Sequence, residues 1–316
     1  MAGAGVIQKA AFGDVYDARI KKQFLLSYGP PENEFEKFYR TEDISEQDIR
    51  YSYQSGFGLW NRKADLELVT YDTVYQGYDT TITPWEYASG FQIGQQAYED
   101  DKTGLLQGLV GPFAESARDT LEYLGVAPFI NATSTTAFSP YMSGGDGVAL
   151  LSTLHPIPAG GVFANTPASG TDLSIAAVSA GRIAMMKTPN ARGLRRGVDA
   201  TTLVVPIDSY YLAKELFGQG ADNMPYTADN TANVVKEGLE IVRWTGLTDT
   251  NAWFLMAKKA AQLGMKGHCL TYVNRIGVEF DRSGTFDSGA RLYKGRFRVG
   301  FGYPDPRGIY GSLGSS

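Results

Sequence analysis

Soft ligands are scarce: the 316-residue chain has one cysteine, Cys269, and two histidines, His155 and His268. A single thiol excludes an intramolecular disulfide framework, and two imidazoles leave little from which to build a zinc or iron site. A reducing compartment fits that pattern. No stretch approaches the roughly 20 apolar residues that a membrane helix needs, and the N-terminal MAGAGVIQKAAFGDVYDARIKKQ has no apolar core of signal-peptide length. A soluble, unexported chain is expected, and the sequon at Asn131 to Thr133 then reads as chance.

The signatures of catalysis are missing as well. There is no Walker loop, GxSxG elbow, HExxH or CxxC. Gly56-Phe57-Gly58 and Gly300-Phe301-Gly302 lack the third glycine and following helix that phosphate cradling requires, so they read as strand-end turns. His155 precedes Pro156 in LSTLHPIP, where a general base is conceivable, but no recognised pattern sets a nucleophile beside it. A structural hydrogen-bonding role is expected. The chain is therefore expected not to be an enzyme and to need no cofactor or metal. A net charge of -5 and a pI near 5.2 exclude a dedicated nucleic-acid binder, which would carry a basic balance or stripe.

What is present is 43% hydrophobic content, enough for a substantial core. The first fifty residues are polar, with Pro30 and Pro31 in their midst and aromatics scattered through them, Phe24, Tyr28 and Phe35 among these. Such a segment suits an arm lying across another subunit, where each ring buries a face. From Tyr51 to about Gln96 the residues are β-formers, including Trp60, Tyr71, Tyr75 and Trp85, and the reading is one long projecting hairpin that reverses near Gln76 to Asp79. These aromatics are candidate intersubunit contacts. Lys63 could in principle join a covalent crosslink to a neighbour, without an identifiable partner asparagine.

Leu105, Leu106, Leu109, Val110, Phe113, Ala117, Leu121 and Leu124 then mark one apolar helical stripe. Asp100, Asp101 and Thr103 read as its capping end. A catalytic carboxylate cluster is the sharper reading of the same residues. Pro112 with Gly108 and Gly111 predicts a bend and a candidate hinge, or else a helix that begins near Gly111 with Pro112 in its first turn. Residues 131–170 read as loop. Beyond them TDLSIAAVSAGRIAMMK is a capped helix, TTLVVPI a strand, SYYLAKELFG a helix, and VVKEGLEIVRW and AWFLMA two strands. CLTYVNRIGVEFD and ARLYKGRFRVGFG read as long strands joined around Gly284 to Gly289. Arg192, Arg195 and Arg196 form the one basic cluster of note, either a solvated loop or an intersubunit contact.

Several of these stretches share one order. GFQIGQQAYEDD, LLSTLHPIPAGGVFANT, the helix from Asp172 to Lys187 followed by ARGL, LVVP, ADNTANVV with LEIVRWTGLTDTNAWFLMA, and the terminal RFRVGFGYPDPRGIYGS together resemble the major head proteins of phage Mu and related tailed phages. The resemblance runs from about Tyr71 to the C-terminus. It implies the α+β Hong Kong 97 capsid fold: an N-terminal arm over 1–48, an extended loop over 49–96, and a peripheral domain over 97–135 whose spine helix spans about 101–130. An axial domain over 136–264, returning peripheral strands over 265–303, and a C-terminal segment over 304–316 that rejoins the axial domain complete the expectation. It further implies a subunit that forms pentamers and hexamers, closes an icosahedral-type shell around double-stranded DNA, and works with a portal and possible decoration proteins. With no scaffolding segment ahead of Met1, a separate scaffolding protein is expected. An encapsulin-like compartment enclosing cargo protein is the alternative, separated from a phage head by DNA and a portal vertex in purified particles.

Overall fold

The computed structural model describes residues 22–24, 26–28, 33–74, 76–100, 108–136, 144–195, 197–218, 233–257, 270–285 and 288–315. In chain order, β1 (Arg40–Asp43), β2 (Ile49–Gln54), β3 (Gln76–Ile82) and β4 (Trp85–Ile93) precede a short helix α1 (Gln95–Glu99) and the long helix α2 (Val110–Ile130). Then come β5 (His155–Pro156), β6 (Val162–Phe163), α3 (Ile175–Lys187), β7 (Thr202–Val205), α4 (Tyr210–Phe217), β8 (Glu240–Arg243) and β9 (Trp253–Met256). The last strands are β10 (Thr271–Gly284), β11 (Arg291–Gly302) and β12 (Ile309–Ser312). This mixed α+β chain forms two compact units, the division falling inside α2, β10 and β11.

The first unit comprises the described residues within Met1–Asn33, Trp85–Tyr123 and Asn274–Val299. Here β4 runs antiparallel to β11, in register from Ile93 opposite Arg291 to Trp85 opposite Val299, and β10 lies on the other side of β11. The period of two in strands sends alternate rings to one face. Phe91 stacks on Tyr293 at 4.8 Å and Tyr87 on Phe297 at 5.4 Å. Phe113 of α2 packs edge-on to Phe91, and Phe24 stacks on Phe280 at 4.7 Å.

The second unit comprises the described residues within Glu34–Pro84, Leu124–Val273 and Gly300–Ser316. Its sheet has the order β12-β9-β7-β8, with β7 parallel to β8 and antiparallel to β9. All four residues of β7 and of β9 are buried, as the unbroken apolar runs TLVV and WFLM require of strands covered on both faces. Val178 of α3 and Phe217 of α4 join Leu203, Val205, Trp253 and Leu255 in that core. The hydroxyl of Ser174 caps α3 by accepting from the Ala177 N–H at 3.2 Å. β1 lies beside the opening of β10, the Arg40 N–H donating to the Leu270 carbonyl at 2.9 Å.

Residues Leu124 to Phe129 of α2 are buried all round, so the helix widens from a stripe to complete burial at its C-terminal end. Phe129 meets Trp244 and Phe254, each at 5.0 Å between ring centres. Gly125 is where the N-terminal segment crosses: a Cβ built there would lie 2.6 Å from the Cβ of Phe35.

Several readings change, and one open alternative closes. Phe24 and Phe35 are not free to cover a neighbour; they are 0% and 1% exposed in the chain's own cores, because the rings that accept them, Phe280 and Phe301, lie far away in sequence. The single hairpin over 51–96 is two pairings: β2 with β3, and β4 with β11. Gln76 to Asp79 lies within β3, so the reversal falls in 55–74; β propensity marks a strand but not its partner. Asp100 is the C-cap of α1, not the start of the long helix, while Asp101 and Thr103 lie outside the described residues. Pro112 is the third residue of α2, in the turn whose N–H groups need no intrahelical acceptor. Gly108 precedes that opening turn and Gly111 lies within it, and residues 101–107 are outside the described ones. VVK is a 3-10 turn rather than part of a strand.

Candidate functional site

Between β2 and β3 the chain leaves the sheet. Over 55–74 it makes no ladder bonds, and all but Ser55 and Gly58 are exposed. The excursion carries Phe57, Leu59, Trp60, Leu66, Leu68, Val69, Tyr71 and Val74 into solvent, with Trp60 96% exposed. Its far end is a tight turn: the Glu67 carboxylate accepts from the Ala64 N–H at 2.8 Å, the Glu67 N–H donates to the Ala64 carbonyl at 3.3 Å, and Leu66 sits at φ 61°, a left-handed conformation that a branched side chain rarely adopts.

The base of the excursion is built from polar groups. Arg192, in the loop after α3, donates to the Gly56 carbonyl at 3.1 Å, to Asp72 at 3.2 Å, and to the Thr73 carbonyl. One guanidinium thus holds both limbs, a task for which its planar fork of donors is suited. Asp72 also accepts from the Gly58 N–H at 2.7 Å. That backbone hydrogen bond, followed by the charge of Arg192, keeps its carboxyl below the ordinary carboxylate range. Below the clasp, Asp79 of β3 accepts from Ser52 at 2.6 Å and Gln76 at 2.9 Å and pairs with Arg50. These bonds, Ser52 first, hold its pKa down to about 2.

A second anchor stands beside the first. Arg307 is buried in a fork on Asp305, donates to the Tyr53 hydroxyl at 2.9 Å, and lies 4.6 Å from the centre of the Tyr53 ring. The Tyr53 hydroxyl accepts in turn from the Ala191 N–H at 3.3 Å. The first strand of the hairpin base, β2, the Arg192 loop and the PDPR segment are thereby locked together. None of Asp72, Tyr53, Asp305 or Arg307 stood out in the sequence; only the local spacing of Asp305 and Arg307 offered a signal.

The expected contact residues divide. Trp60 and Tyr71 project from the excursion, and Trp85 is half exposed at the head of β4. Tyr28 is half buried and stacks on Phe24 at 6.4 Å. Arg192 is spent on the clasp, whereas Arg195 is exposed and its backbone forms an isolated antiparallel bridge with Pro189. Tyr75 and Arg196 lie outside the described residues.

His155 is fully buried. Its Nδ1 faces Asp146 at 2.7 Å and its Nε2 faces the Asn165 side-chain oxygen at 3.1 Å. Asn165 is itself oriented, donating to the Leu150 carbonyl at 2.7 Å and accepting from the Ser152 N–H at 2.8 Å. With both ring nitrogens engaged and no solvent access, His155 organises loops and has no atom free for a substrate.

Comparison with known proteins bears on the family and the fold. Residues 78–312 match the family model described as phage capsid protein. Among solved structures, the chain is similar to one titled as the asymmetric unit of the bacteriophage PhiM1 mature capsid, with a TM-score of 0.58 at 11% identity over 89% of this chain and 86% of that one. A Mycobacterium phage Bobi structure matches with a TM-score of 0.55 at 10% identity over 90% and 91%. A Microbacterium phage Oxtober96 structure matches with a TM-score of 0.54 at 12% identity over 90% and 92%. No protein of curated function matches in sequence.

Proposed function

The chain belongs to a family of phage capsid proteins, and from that premise we propose that it is the major subunit of a tailed-phage head, self-assembling as pentamers and hexamers around double-stranded DNA. The observation that carries the reading is the 55–74 excursion. Eight large apolar side chains stand exposed within it, held out from the hairpin by a built polar base. Soluble monomers rarely expose so many large apolar side chains in one short segment. Burying one such side chain stabilises by about 1.5–3 kcal/mol, so a neighbour that covers several of them gains a firm contact from a thin loop. Repeating that heterologous contact around a closed ring and then a shell is the assembly mechanism.

The net charge of -5 suits a container that encloses DNA without sequence-specific grip. A portal, a separate scaffolding protein and decoration proteins are the proposed further partners, and the virion head, assembled in the host bacterial cytoplasm, is the proposed location. We read the protein as structural rather than catalytic, since His155, the histidine among the described residues, is buried and fully engaged. The entry to α2 around Gly108, Gly111 and Pro112 is the proposed hinge for particle expansion; identical geometry there in immature and expanded shells would reject it.

Cryo-electron microscopy of the protein expressed alone, and of material from lysed host cells, tests the reading. Closed shells of pentamers and hexamers with Trp60 lying over a neighbour are expected. Small discrete oligomers in both samples would refute it, and shells filled with cargo protein rather than DNA would favour the encapsulin-like alternative.

A further inference from the structure

The PDPR segment contains the sequence's one Asp-Pro pair, Asp305-Pro306. In acid such a bond is the weakest amide of a chain, because the aspartate carboxylate can close a cyclic anhydride on its own carbonyl carbon. The tertiary prolyl nitrogen takes up a proton and leaves as a secondary amine. Pro306 has no N–H, so the competing succinimide, which needs that nitrogen as nucleophile, cannot form.

The fold blocks this chemistry at the nucleophile. Oδ1 of Asp305 accepts from the Arg307 backbone N–H at 3.0 Å and from its Nε at 2.8 Å, and Oδ2 accepts from Nε at 2.9 Å and from Nη2. A carboxylate has about four lone-pair sites, and these contacts engage them while the guanidinium stabilises the anion as it stands. Asp305 is 5% exposed and Arg307 7%, which keeps out the water and hydronium that cleavage consumes. The Tyr53 hydroxyl fixes Arg307 in turn at 2.9 Å. Asp146 and Tyr78 line the adjoining cavity, but Asp146 is turned to His155 and the Tyr78 hydroxyl to the Pro156 carbonyl. Arg307 alone of these groups holds the carboxylate.

We propose that Asp305-Pro306 is a latent self-cleavage site and that Arg307 is the positioning residue that keeps it closed while the second unit is folded. Once the fork opens, a carboxylate oxygen of Asp305 bonds to the Asp305 carbonyl carbon. The bond from that carbon to the Pro306 nitrogen breaks, its electron pair stays on nitrogen, and nitrogen takes a proton from hydronium. Water then opens the anhydride, leaving Asp305 with two carboxyl groups and Pro306 as a new amino terminus. The cut does not by itself free the strand. β12 stays on β9 from Ile309 opposite Met256 to Ser312 opposite Trp253, Tyr310 is buried, and Asp172 holds the Ser315 N–H at 2.9 Å. A cut chain that then unfolds loses an edge strand of that sheet, so cleavage makes unfolding irreversible.

Intact-mass measurement under denaturing conditions, after incubating the full chain in warm, mildly acidic buffer, tests both parts. The folded unaltered chain is expected to stay whole. In urea it should yield fragments 1–305 and 306–316, whose masses sum to the intact mass plus one water, and Asp305→Ala in urea should yield neither. Without urea, Arg307→Ala is expected to cleave at least tenfold faster than the unaltered chain. Arg307→Lys, with a charge but no fork, should fall between. No fragments from the unaltered chain in urea overturn the site, as do fragments from Asp305→Ala. Cleavage of the folded unaltered chain at its urea rate overturns the protection. Circular dichroism reports whether each variant is folded, and a folded Arg307 variant that cleaves no faster than the unaltered chain overturns Arg307 as the guard. Unfolding of both variants makes Arg307 a folding residue and overturns that assignment as well.

Discussion

Arg192 lies 3.2 Å from Asp72 although 120 positions separate them in the chain. The pair closes the base of the 55–74 excursion from outside the hairpin, so the loop's direction is set by a residue from the second unit's α3 loop rather than by the hairpin's own turn.

Replacing Arg192 therefore separates loop position from fold stability. The ion pair is partly exposed, and such solvent-screened pairs contribute little to stability. Arg192→Ala is expected to leave the thermal midpoint nearly unchanged while accelerating protease cleavage within 55–74 several-fold and reducing particle yield. Arg192→Lys should give an intermediate result, since one ammonium cannot reach Gly56, Asp72 and Thr73 together. Equal cleavage rates in all three chains would show that the clasp does not position the loop.

Gly125 offers a reversal of sign. In an exposed helix, glycine to alanine stabilises by about 1 kcal/mol. Here the new methyl would lie 2.6 Å from the Cβ of Phe35, an atom too close to the backbone to swing away. The Gly125 carbonyl also accepts from the Tyr39 hydroxyl at 2.8 Å, which pins the crossing segment. Gly125→Ala is expected to destabilise by about 1–3 kcal/mol in denaturant titration, and a gain in stability would show that the Phe35 segment yields.

These two sites show what the sequence could disclose. Periodicity located α2, the capping and boundary residues located α3 and α4, and the fully apolar runs located β7 and β9, because local pattern reports element ends and burial of a face. The partner of β4 was not legible, since Trp85–Ile93 pairs with a strand some 200 residues later and its composition suits many partners. The aromatics of the N-terminal segment were visible, but their destination was not: Phe24 and Phe35 enter the chain's own cores while Trp60 and Tyr71 remain outside. The clasp was half visible, as an arginine cluster whose partners carry no motif.

Asp79 predicts an acid limit for the hairpin base. Its folded pKa of about 2 lies below its ordinary value of 3.8. A depressed carboxylate contributes stability that is present above its unfolded pKa and is lost as pH falls through the folded one. The β2–β3 base should thus keep its contribution from Asp79 at neutral pH, weaken below about pH 3.8 and lose it near pH 2. Ser52→Ala removes the largest cause, so the Asp79 carboxyl, followed by carbon NMR with labelled aspartate, should titrate closer to 3.8. An unchanged midpoint would assign the shift to Arg50 and Gln76 instead.

His155 provides the sharpest division between a structural and a catalytic role. Its side chain is 0% exposed and that of Asp146 4%, so removing either one leaves the other's polar group buried without its partner. Leaving a buried polar group unsatisfied costs about 1–3 kcal/mol. His155→Ala is expected to destabilise by that order, and Asp146→Ala similarly, while the double variant should cost less than the sum because neither polar group is then left alone. Asn165→Ala should also destabilise, since it removes hydrogen bonds to Leu150, Ser152 and His155. A catalytic histidine would show the opposite behaviour, with substitution leaving the unfolding free energy unmoved. Denaturant titration of the four chains distinguishes the cases, and additive losses for His155 and Asp146 would show that they do not act as a pair.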